Sequence, residues 1–161
     1  MNKAAVIYWS STGNTEAMAQ AISDGVREAG VETELIEVGQ ISPEQAAEYE
    51  VLALGCPAMG DEELEESEFE PFFAELEKSL SGKKVVLFGS YDWGDGQWMR
   101  DWYERVRDAG AEILTEEGLI IHNTPDEEGI KNAGSWEGKW YKRLEKIPWS
   151  LELQGILLFM L

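Results

Sequence analysis

The sequence is short of basic residues, of cysteine and of histidine, and each shortage excludes something. Thirteen Lys and Arg stand against 32 Asp and Glu, a net charge of −19 over 161 residues. Such a surface repels nucleic acid and anionic lipid. It suits a basic face on a partner protein and speeds that encounter, although solubility alone is a blander reading of the same charge. A single cysteine, Cys56, leaves no internal disulfide framework and fits a reducing, cytoplasmic setting. Lying at the end of an apolar run, it reads as a small core residue rather than a redox group. The one histidine, His122, has no Cys or His near it to suggest a metal site. No run approaches the roughly 20 apolar residues of a membrane span. Met1, Asn2, Lys3 and Ala4 lead straight into a strand-like run, so no signal peptide is expected.

What is present is enough for one domain with a real core. Residues 4–9 form an apolar run closed by a Ser/Thr/Gly/Asn cluster, the pattern of a buried strand. In residues 15–29, Ala17, Met18, Ala21, Ile22, Val26 and Ala29 recur at helical spacing, with Asn14 as the expected N-cap and Gly30 as the stop. Residues 31–38 alternate like a strand. Ser42 and Pro43 open a short helix, with Pro at its first position. Further strands are expected at residues 51–55, 83–89 and 111–122, the last kinked around 116–118. Helices are expected at 68–80 and 97–109. Strands alternating with helices specify a doubly wound α/β domain, a parallel sheet covered on both faces. Ligands of such sheets lie beyond the carboxyl ends of the strands, so the loops after strands one, three and four are the places to look.

The first of these loops is Ser10, Ser11, Thr12, Gly13, Asn14 and Thr15. Backbone N–H groups at a helix start, together with hydroxyls, suit a phosphate; a capped helix start rich in small polar residues explains the same pattern. The loop matches neither GxxxxGK[ST] nor GxGxxG. The second is Pro57, Ala58, Met59, Gly60, Asp61 and Glu62. Here Gly60 is free in backbone conformation and Met59 offers a polarizable contact for a ring, although in isolation the segment reads as an ordinary turn. The third is Ser90, Tyr91, Asp92, Trp93, Gly94, Asp95 and Gly96. Trp93 in a Gly-rich loop is a stacking platform, or else folds back onto the core. Taken together, the loops supply phosphate donors and ring-stacking side chains at one sheet edge, as a mononucleotide with a large flat ring requires. Trp98, Trp102 and Tyr103, on the helix that follows, read as packing residues.

At these three loops, and from about residue 3 to 128, the chain resembles the short-chain flavodoxins of anaerobic bacteria. The resemblance implies a five-stranded sheet of order 2-1-3-4-5 and non-covalently bound FMN. It implies a low-potential one-electron carrier, without substrate turnover of its own, shuttling between semiquinone and hydroquinone. By similarity, Ser10, Thr12, Asn14 and Thr15 with neighbouring amides hold the phosphate. Met59 lies on the inner ring face and Trp93 on the outer. The Gly60 carbonyl turns inward to accept from the ring's N5–H on reduction, and Glu62 accepts from N3–H. Two departures stand out: Ser11 replaces a Gly common in the subgroup, and Asp92 stands where close relatives usually carry Gly. Seven acids in the ten residues 61–70 disfavour a further negative charge on the ring, although a solvated acidic face accounts for them equally.

Two other functions occur on this fold and suit the sequence less well. An FMN-dependent NAD(P)H or quinone reductase of the same fold needs a substrate pocket for which no segment is spare. A phospho-acceptor signalling domain needs acids after strand one and at the end of strand three, where Trp9, Ser10, Gly55 and Cys56 stand. The expected partners are thus basic faces of redox proteins, met by a monomer.

The tail departs from the family. Relatives end in a last helix, whereas residues 132–143 carry two glycines and two tryptophans without helical periodicity. For one choice of codons, reading this run one base earlier spells ECRELGREMV and a stop, a family-like last helix. Residues 1–131 are therefore expected to form the FMN-binding domain, and 132–161 to be a frameshifted extension. A divergent natural tail is the alternative. A membrane anchor at 156–161 fails on length.

Overall fold

A computed structural model describes residues 3–135. Successive side chains of a strand face opposite ways, and β1 (Lys3–Tyr8) is buried on both sides. It sends Ala4, Val6 and Tyr8 to one side and Ala5 and Ile7 to the other. β3 (Val51–Gly55) divides its side chains in the same way, with every residue buried. Strands apolar on both faces belong in the middle of a parallel sheet. The sheet runs β2-β1-β3-β4-β5, where β2 is Glu32–Glu37, β4 is Lys84–Tyr91 and β5 is Glu112–Ile113, and all of its pairings are parallel. β6 (Leu119–His122) also pairs in parallel with β4.

The expected fifth strand is thus two pieces, β5 and β6, separated near the expected kink. Contacts with α4 (Gln97–Asp108) hold the break open. Tyr103 Oη donates to the Thr115 carbonyl at 3.0 Å. A Cβ on Gly118 would come within 2.3 Å of Met99 Sδ, so glycine alone permits this approach.

Helices cover both faces. α1 (Asn14–Glu28) buries Met18, Ile22 and Val26 against one. α3 (Phe69–Leu76) and α4 bury Phe69, Phe73, Trp98 and Trp102 against the other. Trp102 stands edge-on to Phe69 and Phe73, with ring centroids at 5.4 and 5.8 Å; each such pair contributes about 0.5–1.5 kcal/mol beyond area burial. Arg105 of α4 then ties α3 in place, bonding Glu70 at 2.6 Å and Glu77 at 2.9 Å. α2 (Pro43–Ala46) is one turn, opened as expected by Ser42 and Pro43 in a reciprocal capping box.

Two expectations change. Asn14 does not cap α1: it is the first helical residue, and Gly13, at φ 92°, is the cap. The tight left-handed entry selects the residue without a Cβ. The run from 132 was expected to lack helix, yet α5 spans Glu127–Ser135. Small residues at its contact with α1 explain why. Ala133 is buried there, and a Cβ on Gly25 would lie 2.0 Å from the Gly134 carbonyl oxygen. It is Gly25 of α1, without a Cβ, that lets the α5 backbone seat at Gly134. The rest of the tail lies outside the described residues.

Candidate functional site

The loops after β1, β3 and β4 meet at the carboxyl edge of the sheet, around a cleft of about 460 Å³. Fourteen of the seventeen expected site residues line it: Ser10, Ser11, Thr12, Asn14, Thr15, Pro57, Ala58, Met59, Gly60, Glu62, Ser90, Tyr91, Asp92 and Trp93. The other three adjoin lining residues without lying on the lining themselves. Gly13 caps α1, Asp61 is exposed, and Gly94 lies against the Glu62 side chain. Asn123 and Thr124 also line the cleft and were missed. They follow the fifth strand, so the rule that pointed to the other three loops points to this one as well. Asn123 N–H donates to the Tyr91 carbonyl at 2.7 Å, which fixes that turn beside the third loop.

The phosphate-sized end is built around the start of α1. The first N–H groups of any helix lack intrahelical partners. At four other helices a side chain supplies one: Ser42 at α2, Glu65 at α3, Glu62 at α4 and Asp126 at α5. No such cap closes α1. Ser10 Oγ instead accepts from Gly13 N–H at 3.2 Å, and buried Thr15 Oγ1 lies 2.9 Å from Ser90 Oγ, tying the first loop to β4. Hydroxyls and amides surround this end, and no Lys or Arg lines the cleft. An anion held here is bound by neutral donors and the helix dipole.

The second loop is a small hairpin. Met59 and Glu63 exchange both backbone hydrogen bonds at 2.8 Å, with Gly60 at φ 51° and Glu62 at φ 56° between them. Gly60 is exposed, and nothing lies within 4 Å of where its Cβ would be, so its peptide has room to turn. Glu62 lines the cleft but also turns away from it: Oε1 accepts from the N–H groups of Asp95, Gly96 and Gln97 at 3.1–3.2 Å.

The third loop begins later than the sequence suggests, because β4 runs through Ser90 and Tyr91. Trp93 does not fold back. It is 59% exposed, the exposed large hydrophobic residue among those described. His122 lies 5.0 Å from the Tyr91 ring, and its Nε2 is 2.8 Å from the Asp92 carbonyl oxygen, steadying the loop's root. Trp98 and Trp102 are buried packing residues, as expected. Cys56 is fully buried, and burial pushes its thiol far up from the ordinary value. Its Sγ accepts from Glu65 N–H at 3.4 Å.

The acidic stretch is less uniform than its composition suggests. Glu65 is 5% exposed and caps α3 through Ser67, Glu68 and Phe69, while Glu70 is paired with Arg105. Asp61, Glu63, Glu66 and Glu68 are exposed. A larger cavity, about 850 Å³, lies between α4 and the β5–β6 edge. Apart from Gly96 at its rim it holds none of the loop residues, and Asn132 and Ser135 on its lining adjoin the undescribed chain. The chemistry therefore belongs to the smaller cleft.

A flavodoxin family model matches residues 6–136. The chain belongs to the flavodoxin family. It is 52% identical over 122 residues to a Clostridium beijerinckii flavodoxin, covering 76% of this chain and 88% of that one. It is 48% identical over 121 residues to the Megasphaera elsdenii flavodoxin, covering 75% and 87%. The solution structure of the two-electron reduced Megasphaera elsdenii flavodoxin superposes with a TM-score of 0.71 at 44% identity, over 83% of this chain and 98% of that one. This flavodoxin is accordingly an FMN-binding electron carrier rather than an enzyme with its own turnover. The donor set fits that group, with an uncapped helix start and hydroxyls for the phosphate and an exposed indole for the ring. No helix among the described residues is long and apolar enough to cross a membrane.

Proposed function

We propose that this flavodoxin is a cytoplasmic, monomeric, low-potential carrier that moves one electron at a time between the half-reduced and fully reduced forms of its FMN. What supports the reading is the pairing, in one cleft, of the uncapped α1 start with the exposed Trp93 ring. When bound, the isoalloxazine supplies the redox chemistry. The chain's own residues bind and tune it. Ser10, Ser11, Thr12, Asn14 and Thr15, with the first amides of α1, hold the phosphate. Met59 and Trp93 enclose the ring, with Pro57, Ala58, Ser90, Tyr91 and Asp92 forming the walls between them. The Gly60 peptide, exposed and with open space beside it, would offer its carbonyl as an acceptor to a ring N–H gained on reduction. The Glu62 oxygen not engaged with α4 would accept from N3–H. Exposed Asp61, Glu63 and Glu66 oppose a negative charge on the ring and lower the second couple.

The same acids suit a basic face on the donor or acceptor protein and hasten its approach. We read the tail from about residue 132 as a frameshifted extension, on the ECRELGREMV reading alone, since the family match itself runs to residue 136.

Titration with FMN followed by stepwise dithionite reduction tests the proposal. Quenched flavin that turns blue after one electron is the expected result. Reduction in a single two-electron step would refute it. Chain ending in ECRELGREMV, run in parallel, separates a wrong function from a domain damaged by its tail.

A further inference from the structure

We infer that Glu62 is a positioning residue whose carboxylate clasps the start of α4 and so locks the second and third loops into one unit. Three independent observations converge on it. First, α4 begins at Gly96, which has no side chain with which to cap the helix. Glu62 Oε1 takes that role from more than thirty residues away, accepting from Asp95, Gly96 and Gln97. A carboxylate at a helix N-terminus meets both the unpaired N–H groups and the positive end of the dipole.

Second, Glu62 is one of two described non-glycine residues with positive φ, at 56°. That conformation is uncommon outside Gly, Asn and Asp. The Met59–Glu63 hairpin holds it, and its side chain reaches the start of α4. Third, Gly94 makes room. A Cβ there would lie 2.3 Å from Glu62 Oε1. The two loops are therefore shaped to each other at this point and not merely adjacent.

The clasp has a mechanical meaning. Met59 stands on one loop and Trp93 on the other, both at the cleft. With the loops joined through Glu62, the slot between these side chains keeps its width without a ring inside it. A preformed slot binds without first ordering its walls. The clasp stands without FMN, while its effect on ring binding rests on the function proposed above.

Amide hydrogen exchange, followed by NMR on the full chain with and without FMN, tests the inference. In Glu62→Ala the Asp95, Gly96 and Gln97 amides should exchange at least about tenfold faster. The amides of β3 and of Thr12, Asn14 and Thr15 should hold. Glu62→Gln, which keeps an acceptor oxygen, should restore most of the protection. Gly94→Ala should reproduce the loss with the carboxylate still present, and adding it to Glu62→Ala should add little. FMN release should quicken in the same order. Unchanged protection at 95–97 in both Glu62→Ala and Gly94→Ala would overturn the clasp. Failure to take up FMN by both the wild-type chain and the chain ending in ECRELGREMV would refute the proposed function, and the exchange comparison on the FMN-free chain would still be readable.

Discussion

The starts of α1 and α4 make an instructive pair. Both helices open at the carboxyl edge of the sheet, both begin at a glycine with φ above 90°, and neither is capped by its own first residue. At α4 the protein supplies a carboxylate from Glu62. At α1 it supplies none, and the nearby side chains are hydroxyls and an amide. Equivalent backbone geometry thus serves two ends. One start is filled from within and becomes scaffold; the other is left for an anion from outside. Glu16 stands in the first turn of α1, but residues 10–15, which form the loop, carry no carboxylate, and that is the feature that matters.

The most direct way to break the contrast is to fill α1 from within. Thr12→Asp should lower FMN affinity at least about a hundredfold, near 3 kcal/mol, since a carboxylate would occupy the amides and repel the phosphate. Riboflavin, which carries no phosphate, should bind the variant as it binds wild type. Equal losses for both ligands, read by fluorescence titration, would sink the assignment of this end.

Removing a cap tests the scaffold side. Glu65→Ala strips α3 of the carboxylate that Ser67, Glu68 and Phe69 share, and should cost about 2–3 kcal/mol in urea unfolding. Burial alone would push the Glu65 carboxyl up, but the hydrogen bonds from Ser67, Phe69 and Glu68 hold it below the ordinary value of 4.5. A depressed folded value means that the stabilisation is complete above about pH 4.5 and is lost as pH falls through the folded value. Glu65→Gln should flatten that acid limb. A stability profile as steep as that of wild type would assign the acid sensitivity elsewhere.

At the ring end the expected effect is smaller. Trp93→Ala should weaken FMN and riboflavin alike, by about 1–2 kcal/mol, the worth of one aromatic stack. Smallest of all, replacing exposed Asp61, Glu63 or Glu66 by its amide should raise the second potential. Each should contribute on the order of 20 mV, the energy of unit charges roughly 10 Å apart in water. The shift should shrink with salt.

Much of this could be read from the residues. The apolar runs of β1, β3 and β4 and the clusters that follow them announced a sheet and its ligand edge, because burial and turn chemistry are local. Glu62 was singled out, yet its bond to α4 was not, since nothing in the spacing of residues 62 and 95 encodes their meeting. Asn14 was chosen as cap on side-chain chemistry, and the strained backbone gave the position to Gly13. Asn123 and Thr124 follow a strand whose end at His122 was expected, and were overlooked because only the loops after strands one, three and four were considered. Gly134 looked hostile to helix, yet the helix runs through it, because Gly25 of α1 lets the two backbones meet there.

That fit has a reach beyond packing. α1 is a rod with two ends, and the helices' backbones touch at Gly25, eleven residues from Asn14, or about 16 Å along the axis. A single methyl group at Gly25 would have to lever α5 off the rod or tilt the rod beneath it. The phosphate grip would register the tilt, so Gly25→Ala should be detectable as a faster FMN off-rate in a chain whose every cleft residue is intact. Mutational tolerance on this face is therefore set by what happens at the far end of one helix, and a screen for cofactor retention would single out Gly25, a residue that never meets the cofactor.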